Sequence, residues 1–149
     1  MARARGDADD ARSTRVRVEL EKVAGAAGAP DPPVLHLHGE FDIDTVPEID
    51  RFLRRRLGPL YQRRTLVIDL GDVTLVDSSF IGFVVRLAGE ERRGRGELVL
   101  AHPVGRVRSL LCMVGLPNLV PMYESLEDAL RALREATPPL IPPAFGLTG

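Results

Sequence analysis

The sequence predicts a single α/β domain with a mixed, mainly parallel sheet of about five strands and about four helices. Two features of the pattern lead to this fold class. From residue 34 onward, short apolar runs alternate with segments whose apolar residues recur at helical spacing. The run TLVIDL at residues 65–70 is mostly apolar, which is typical of a central parallel strand buried on both faces. A chain of 149 residues suits one such domain with short tails.

The predicted elements follow one another along most of the chain. Strands are expected at residues 16–20, 34–39, 65–70, 97–101 and 119–122, with a turn after Leu70. Helices are expected at residues 45–57, 79–92, 104–114 and 125–135. Residues 1–15 lack apolar periodicity and are expected to be disordered, and residues 137–149 form a proline-rich tail. The folded domain is therefore predicted to span residues 16–136.

Three of the predicted helices carry end signals. Thr45 and Glu48 fit a capping box at the start of the first helix. Ser125 and Asp128 occupy the N-cap and N3 places of the last helix. Gly115 suits the position just after the third helix, where a left-handed backbone often ends the helix.

Composition narrows the class of protein. A net charge of -1 gives no sign of a nucleic-acid-binding protein. No apolar stretch is long enough to cross a bilayer, and the first thirty or so residues contain no signal-peptide pattern. The single cysteine, Cys112, excludes an internal disulfide and is expected to be a buried structural thiol. We expect a cytoplasmic protein without nucleic-acid partners, membrane insertion, metal or cofactor.

The most informative segment is LVIDLGDVTLVDSSFIGFVV, at residues 66–85. A buried strand leads to Asp77, Ser78 and Ser79, and a helix begins at once. The start of a helix presents unpaired N–H groups and a partial positive charge, which together suit a phosphate. Asp and Ser at this place also fit simple N-capping. Capping and modification are compatible, with Asp77 or Ser78 as the cap and Ser79 as the modified residue.

This segment resembles the core motif of STAS domains, especially those of bacterial anti-sigma factor antagonists. In that family an apolar strand is followed by Asp-Ser-Ser or Asp-Ser-Thr, and the second hydroxyl residue is phosphorylated. The segments at residues 35–53 and 98–130 are similar to the family's Gly-Glu-x-Asp element and C-terminal half. The resemblance covers roughly residues 15–135 and implies a STAS-like fold.

The resemblance implies a non-catalytic switch regulated at Ser79. The unphosphorylated domain would bind an anti-sigma factor that is also a serine kinase, and so free a sigma factor for transcription. Phosphorylation of Ser79 would release the partner, and a PP2C-type phosphatase would reverse the modification. Asp77 and Ser78 would support the phosphosite, while Glu40 and Asp42 would shape the surface that faces the kinase.

One residue departs from the family pattern. Many members have glycine directly after the phosphorylated residue, whereas this chain has Phe80. Phe80 could pack under the helix or project as part of the partner surface. Gly82 keeps the second small residue of the family pattern, and a close approach of helix and sheet is expected there.

Other polar residues have a structural and a functional interpretation. Asp42 and Asp44 would cap or solvate the loop before the first helix, and Asp69 is expected to be a hydrogen-bonded turn residue. His36 and His38 could form part of a metal site but are expected to face solvent.

The consecutive arginines at 54–56 would form either a solvated face or a patch for an acidic partner.

Two other functions stay open at this point. The chain could be a STAS-like subunit of a lipid-transport ABC complex, which would need no kinase. It could also be an enzyme with Ser79 as nucleophile, although no base or oxyanion partner is identifiable. P-loop, HExxH and GxSxG motifs are absent from the sequence.

Overall fold

The computed structural model of the chain describes residues 10–12, 15–22, 32–94 and 96–135. Within them, six strands form one sheet in sequential order, with β1, β2 and β3 antiparallel and β3 to β6 parallel. The strands are β1 (Asp10–Arg12), β2 (Val16–Lys22), β3 (Pro33–Phe41), β4 (Leu66–Val76), β5 (Leu98–Ala101) and β6 (Met122–Tyr123). The predicted mixed, mainly parallel sheet is confirmed.

Four helices connect or follow the parallel strands, as predicted. They are α1 (Val46–Leu57), α2 (Ser78–Arg93), α3 (Gly105–Met113) and α4 (Leu126–Glu135). Buried residues of α1, α2 and α3 share one hydrophobic cluster with alternate residues of the strands. The buried face of α4 packs on a second cluster that includes Val34, Val67 and Val99, on the opposite side of the sheet. None of the described helices combines the length and apolarity needed to cross a bilayer.

The sheet extends further toward the N-terminus than the sequence predicts. Asp10–Arg12 pairs antiparallel with β2, so the expectation of disorder over residues 1–15 is wrong for this strand. Pairing with an existing strand edge can order a short polar segment that has no apolar pattern of its own. The predicted tail at 137–149 lies outside the described residues, and the domain boundaries stay predictions.

Strand β4 is nearly twice as long as expected, because the predicted turn after Leu70 does not form. The strand continues to Val76 and keeps pairing with β3, with register shifts between His36 and His38 and between Gly39 and Glu40. Such irregularities bend a strand without ending it. Asp69 is therefore a mid-strand residue, and its Oδ1 atom accepts a hydrogen bond from the N–H of Gly71 at 3.0 Å.

The fold requires glycine at position 39. Its φ angle is 108°, in the region that residues with a side chain rarely adopt. A Cβ atom there would also collide with the carbonyl oxygen of Arg15. Gly39 thus allows the start of β2 to lie close against β3.

Two other predictions differ locally from the structure. The predicted strand at 119–122 is instead the short β6, preceded by a 3-10 turn at Leu116–Asn118. Gly115 adopts the expected left-handed conformation, with φ of 78°. The capping box at Thr45 is wrong, because the buried Thr45 hydroxyl donates to the carbonyl oxygen of Glu40 at 2.8 Å instead of capping α1.

His36 is buried, so the expectation that it faces solvent is wrong. Only 6% of the residue is exposed. Its Nδ1 donates to Asp69 on β4 at 2.7 Å, and its Nε2 donates to Glu21 on β2 at 2.6 Å. Because a carboxylate only accepts hydrogen bonds, the ring must be protonated at both nitrogens. His36 is a charged bridge across three strands.

The pKa of His36 follows from this environment. Burial opposes the charged ring, but the hydrogen bonds to Asp69 and Glu21 outweigh burial and raise the pKa of His36 above its ordinary value of 6.5. The charged bridge therefore stabilises the folded state fully below pH 6.5, and this stabilisation is lost as pH rises through the folded-state pKa.

Replacement of His36 by glutamine should remove this pH dependence. Below pH 6.5 we expect H36Q to lower the free energy of unfolding by about 2–3 kcal/mol, since two partly buried carboxylates lose their cation. Urea unfolding of the wild type and of H36Q across neutral to alkaline pH would measure how the free energy of unfolding of each protein changes with pH. If the free energy of unfolding of H36Q changed with pH as much as that of the wild type, the charged bridge would be wrong.

Candidate functional site: the carboxyl edge of the sheet at Ser79

The start of helix α2 is capped by Asp77, the residue that follows strand β4. The Asp77 Oδ1 atom accepts hydrogen bonds from the N–H groups of Ser79 at 2.8 Å and Phe80 at 3.3 Å. The Asp77 carbonyl oxygen accepts from Phe80 and Ile81, which begins the helical hydrogen bonding. Asp77 is therefore the N-cap, one of the two alternatives that the sequence left open.

The two serines lie in the first turn of this helix. Ser78 is exposed and Ser79 is half-buried. Within the described residues, neither hydroxyl group makes a hydrogen bond. Since Asp77 performs the capping, both hydroxyls are left available at a helix start whose partial charge favours an anion.

Phe80 packs under the helix and is not part of the surface. The residue is fully buried, and its ring lies 6.3 Å from that of Phe41, centroid to centroid, with a tilt of 47°. The expectation that Phe80 contributes to a partner surface is therefore corrected, because its side chain is in the hydrophobic core. Phe80 anchors the first turn of α2 on the core.

Gly82 does not provide the expected close approach of helix and sheet. It is exposed, and a Cβ atom built there meets no atom within 4 Å. Gly82 lies one turn after Ser79 on α2, so its missing side chain leaves the surface beside the serine open.

The pairing of β3 with β4 brings the predicted acidic residues to the same edge. Phe41 lies opposite Val76, and Glu40 lies opposite Leu75. Asp42 therefore follows β3 at the place where Asp77 follows β4, and adjacent strands are only about 5 Å apart. The structure thus places Glu40 and Asp42 at the same edge of the sheet as the start of α2.

Asp42 organises the loop that leads into α1. Its Oδ1 atom accepts hydrogen bonds from the N–H groups of Asp44 at 2.9 Å and Thr45 at 3.2 Å. The N–H of Asp42 in turn donates to the Thr45 hydroxyl at 2.9 Å. The structural interpretation of Asp42 as a loop cap is confirmed by these contacts.

Arg15 is a site residue that the sequence analysis missed. Its guanidinium donates to Glu40 at 3.0 Å and also pairs with Asp42. The hydrogen bond from Arg15 holds the pKa of the Asp42 carboxyl below its ordinary value. The sequence signal for this contact is the position of Arg15 directly before β2. Because β2 pairs antiparallel with β3, Arg15 lies opposite the end of β3.

Two exposed apolar side chains lie along the same edge. Ile43 is 71% exposed in the loop after β3, and Leu75 is 42% exposed near the end of β4. Exposed apolar groups next to polar ones mark many protein-binding surfaces. The edge therefore offers contact area around the serines as well as charge.

The described residues contain no group of three or more His, Cys, Asp or Glu side chains suited to a metal ion. His38 lies within 3.1 Å of Asp72 and 3.4 Å of Glu19, and His36 forms the bridge described above. Cys112 is partly buried and packs against the main hydrophobic cluster.

A mixed, mainly parallel sheet leads at this edge to a capped helix start that presents a pair of serines, which is the arrangement expected of a STAS domain. The family model described as Mlab, STAS domain matches residues 24–121 of this chain. The chain belongs to this family.

Known relatives extend the comparison. The chain is 32% identical over 75 residues to BtrV of Bordetella bronchiseptica, which is named as an anti-sigma factor antagonist. The match covers 50% of this chain and 65% of BtrV, so this chain spans just under two thirds of that protein.

Solved structures of anti-sigma factor antagonists share the fold. One from Mycobacterium paratuberculosis has a TM-score of 0.60 at 22% identity, covering 77% of this chain and 94% of its own. Unphosphorylated SpoIIAA has a TM-score of 0.58 at 21% identity, covering 86% of this chain and 96% of its own. SpoIIAA of Bacillus has also been solved in a phosphorylated form. That structure has a TM-score of 0.52 at 20% identity, and the match covers 85% of this chain and 99% of SpoIIAA.

Removal of the Asp77 cap should destabilise the domain. We expect D77A to lower the free energy of unfolding by about 1 kcal/mol, because the N–H of Ser79 loses its acceptor and the N–H of Phe80 keeps only the Asp77 carbonyl oxygen. D77N should remain close to wild type, since asparagine also caps helices. Urea unfolding of the three proteins would measure the difference. If D77A were as stable as D77N, the capping role would be wrong.

Proposed function

We propose that the chain is a non-catalytic anti-sigma factor antagonist controlled by phosphorylation of Ser79. The observation that carries the proposal is the Ser79 hydroxyl, which lies unbonded in the first turn of a helix already capped by Asp77. The similarity to anti-sigma factor antagonists supports the choice of partner class. The unphosphorylated chain binds an anti-sigma factor with serine kinase activity in the cytoplasm, and a PP2C-type phosphatase restores this state.

The charge at the edge explains how a phosphate would act. A phosphate on Ser79 adds about −1.5 to −2 charges at neutral pH. In the free domain, the partial positive charge of the helix start and the surrounding water tolerate that charge. In a complex, the same phosphate loses its water, and its repulsion by the neighbouring Asp77 carboxylate is less screened than in the free domain, so both effects oppose binding.

The switch needs no change of fold. Phe80 and Phe41 anchor the first turn of α2 on the core, and a phosphate on the Ser79 hydroxyl need not disturb that contact. A difference in partner affinity of a few kcal/mol is enough to shift a population from mostly bound to mostly free. Phosphorylation therefore acts through the surface at Ser79.

The proposal is tested by retention of the partner on immobilised wild-type chain, S79A and S79D. A protein with a serine kinase domain, held by wild type and S79A but retained at least ten-fold less by S79D, is the expected result. S78A and S78D are matched controls at the neighbouring, more exposed serine. Release by S78D with retention by S79D would assign the switch to Ser78, and equal retention by all variants would contradict the proposal.

Gly82 offers a test of where the partner lies. A side chain at this exposed helix position should stabilise the isolated domain by about 0.5–1 kcal/mol, because glycine is a poor helix former. G82Q should nevertheless weaken partner binding, since its side chain occupies the open surface one turn from Ser79. Thermal unfolding and a binding titration with the purified partner measure the two effects.

Gly89 is the matched control for this test. It also lies on α2, and a Cβ atom there likewise meets nothing within 4 Å, but it is two further turns along the helix. G89Q should stabilise the domain and leave partner binding unchanged. Equal affinities of G82Q and G89Q would place the partner elsewhere.

A second candidate function is a STAS-like subunit of a lipid-transport ABC complex. The observation in its favour is that the matching family model is described with the name Mlab as well as the STAS domain. This function needs no phosphate at Ser79. An ABC permease or ATPase retained equally by wild type, S79A and S79D would support it over the switch.

A further inference from the structure

A cleft between helices α1 and α2 takes no part in the proposed switch. Its volume is about 460 Å³. The α1 wall includes Pro47 and Arg51, the α2 wall includes Arg86, and Gln62 lines it from the connecting segment. The volume lies within the range of small-molecule sites, roughly 300–1,000 Å³.

Part of the charge in the cleft is already neutralised. Asp50 accepts hydrogen bonds from Arg54 at 2.9 Å and from the Tyr61 hydroxyl at 2.6 Å. Burial opposes ionisation of Asp50, but these two hydrogen bonds outweigh burial and lower the pKa of its carboxyl. Glu90, on the α2 wall, pairs with Arg93 at 3.3 Å. Each carboxylate in the cleft thus has a cation of its own.

Two arginines in the cleft remain without a carboxylate. Arg51 and Arg86 make no ion pair within the part of the chain that the structure describes. Arg86 contributes to the low pKa of Asp50 only through its charge, and its guanidinium lies 5.8 Å from the centroid of the Phe83 ring. Two guanidinium groups on opposite walls therefore supply about two uncompensated positive charges and unused N–H donors.

We propose that this cleft binds a small organic phosphate monoester, with its phosphate between Arg51 and Arg86. Arginine presents a planar fork of N–H donors that matches phosphate oxygens. A monoester carries about −1.5 to −2 charges at neutral pH, which balances both arginines, whereas a single carboxylate balances one.

The size of the cleft indicates that the ligand has an organic part. A volume of about 460 Å³ far exceeds the roughly 10–15 Å³ that one water needs in the same measure, and it is more than one phosphate group requires. The Gln62 amide and the ring of Pro47 offer a polar and an apolar contact to that part. Hydroxylated esters such as sugar phosphates and nucleoside monophosphates have the required chemistry.

The test is calorimetric titration of the full chain with glucose 6-phosphate and AMP at constant ionic strength. Saturable binding of at least one ester, tighter than that of inorganic phosphate or glucose, is expected. R51Q and R86Q should each weaken this binding at least ten-fold. R55Q is the matched control, because Arg55 is an exposed arginine of the same helix that stacks on Phe52 outside the cleft and should leave affinity unchanged. Unchanged melting temperatures would show that the variants fold.

Three results would overturn the proposal. They are absence of saturable binding by either ester, inorganic phosphate binding as tightly as the esters, and R86Q binding like R55Q. A glutamate-rich peptide that binds through Arg51 and Arg86 while both esters fail would assign the cleft to an acidic protein segment instead. None of these readouts involves Ser79, so the proposed switch stands or falls separately.

Discussion

The parallel pairing of β3 with β4 determines the geometry of the whole site. The two strands remain paired until Phe41 lies opposite Val76, so the loops that follow them begin side by side. One loop supplies Asp42, and the other supplies Asp77 as the cap of α2. If β4 ended at Leu70, these two aspartates would have no fixed relation. The extension of β4 is therefore what turns two separate acidic motifs into one surface.

The surface at this edge rests on a rigid support. Phe80 and Phe41 are fully buried directly below the first turn of α2. A modification of Ser79 consequently changes charge and shape at the surface while the core below stays packed, because close-packed interiors deform little. The same helix carries Arg86 in the α1–α2 cleft about two turns away, so a phosphate-bearing residue and an anion cleft would share one scaffold.

Local sequence signals predicted much of the fold, and non-local contacts account for most of the errors. The four helices and the N-cap role of Asp77 depend on apolar spacing and on residue types at helix starts, which the sequence displays directly. The burial of His36 depends on carboxylates from β2 and β4, so the alternation of polar and apolar residues alone suggested an exposed side chain. Arg15 was missed because its partners lie on β3, and Thr45 was misjudged because the Glu40 carbonyl competes for its hydroxyl.

The proposed switch depends most directly on which residue is modified and on what the modification does to partner binding. The decisive measurement is phosphorylation of the purified chain by the kinase it binds, with the modified residue mapped by mass spectrometry and the complex followed during the reaction. We expect one phosphate, on Ser79, and dissociation of the complex in step with its appearance. A phosphate on Ser78, or a complex that survives complete phosphorylation of Ser79, would contradict it.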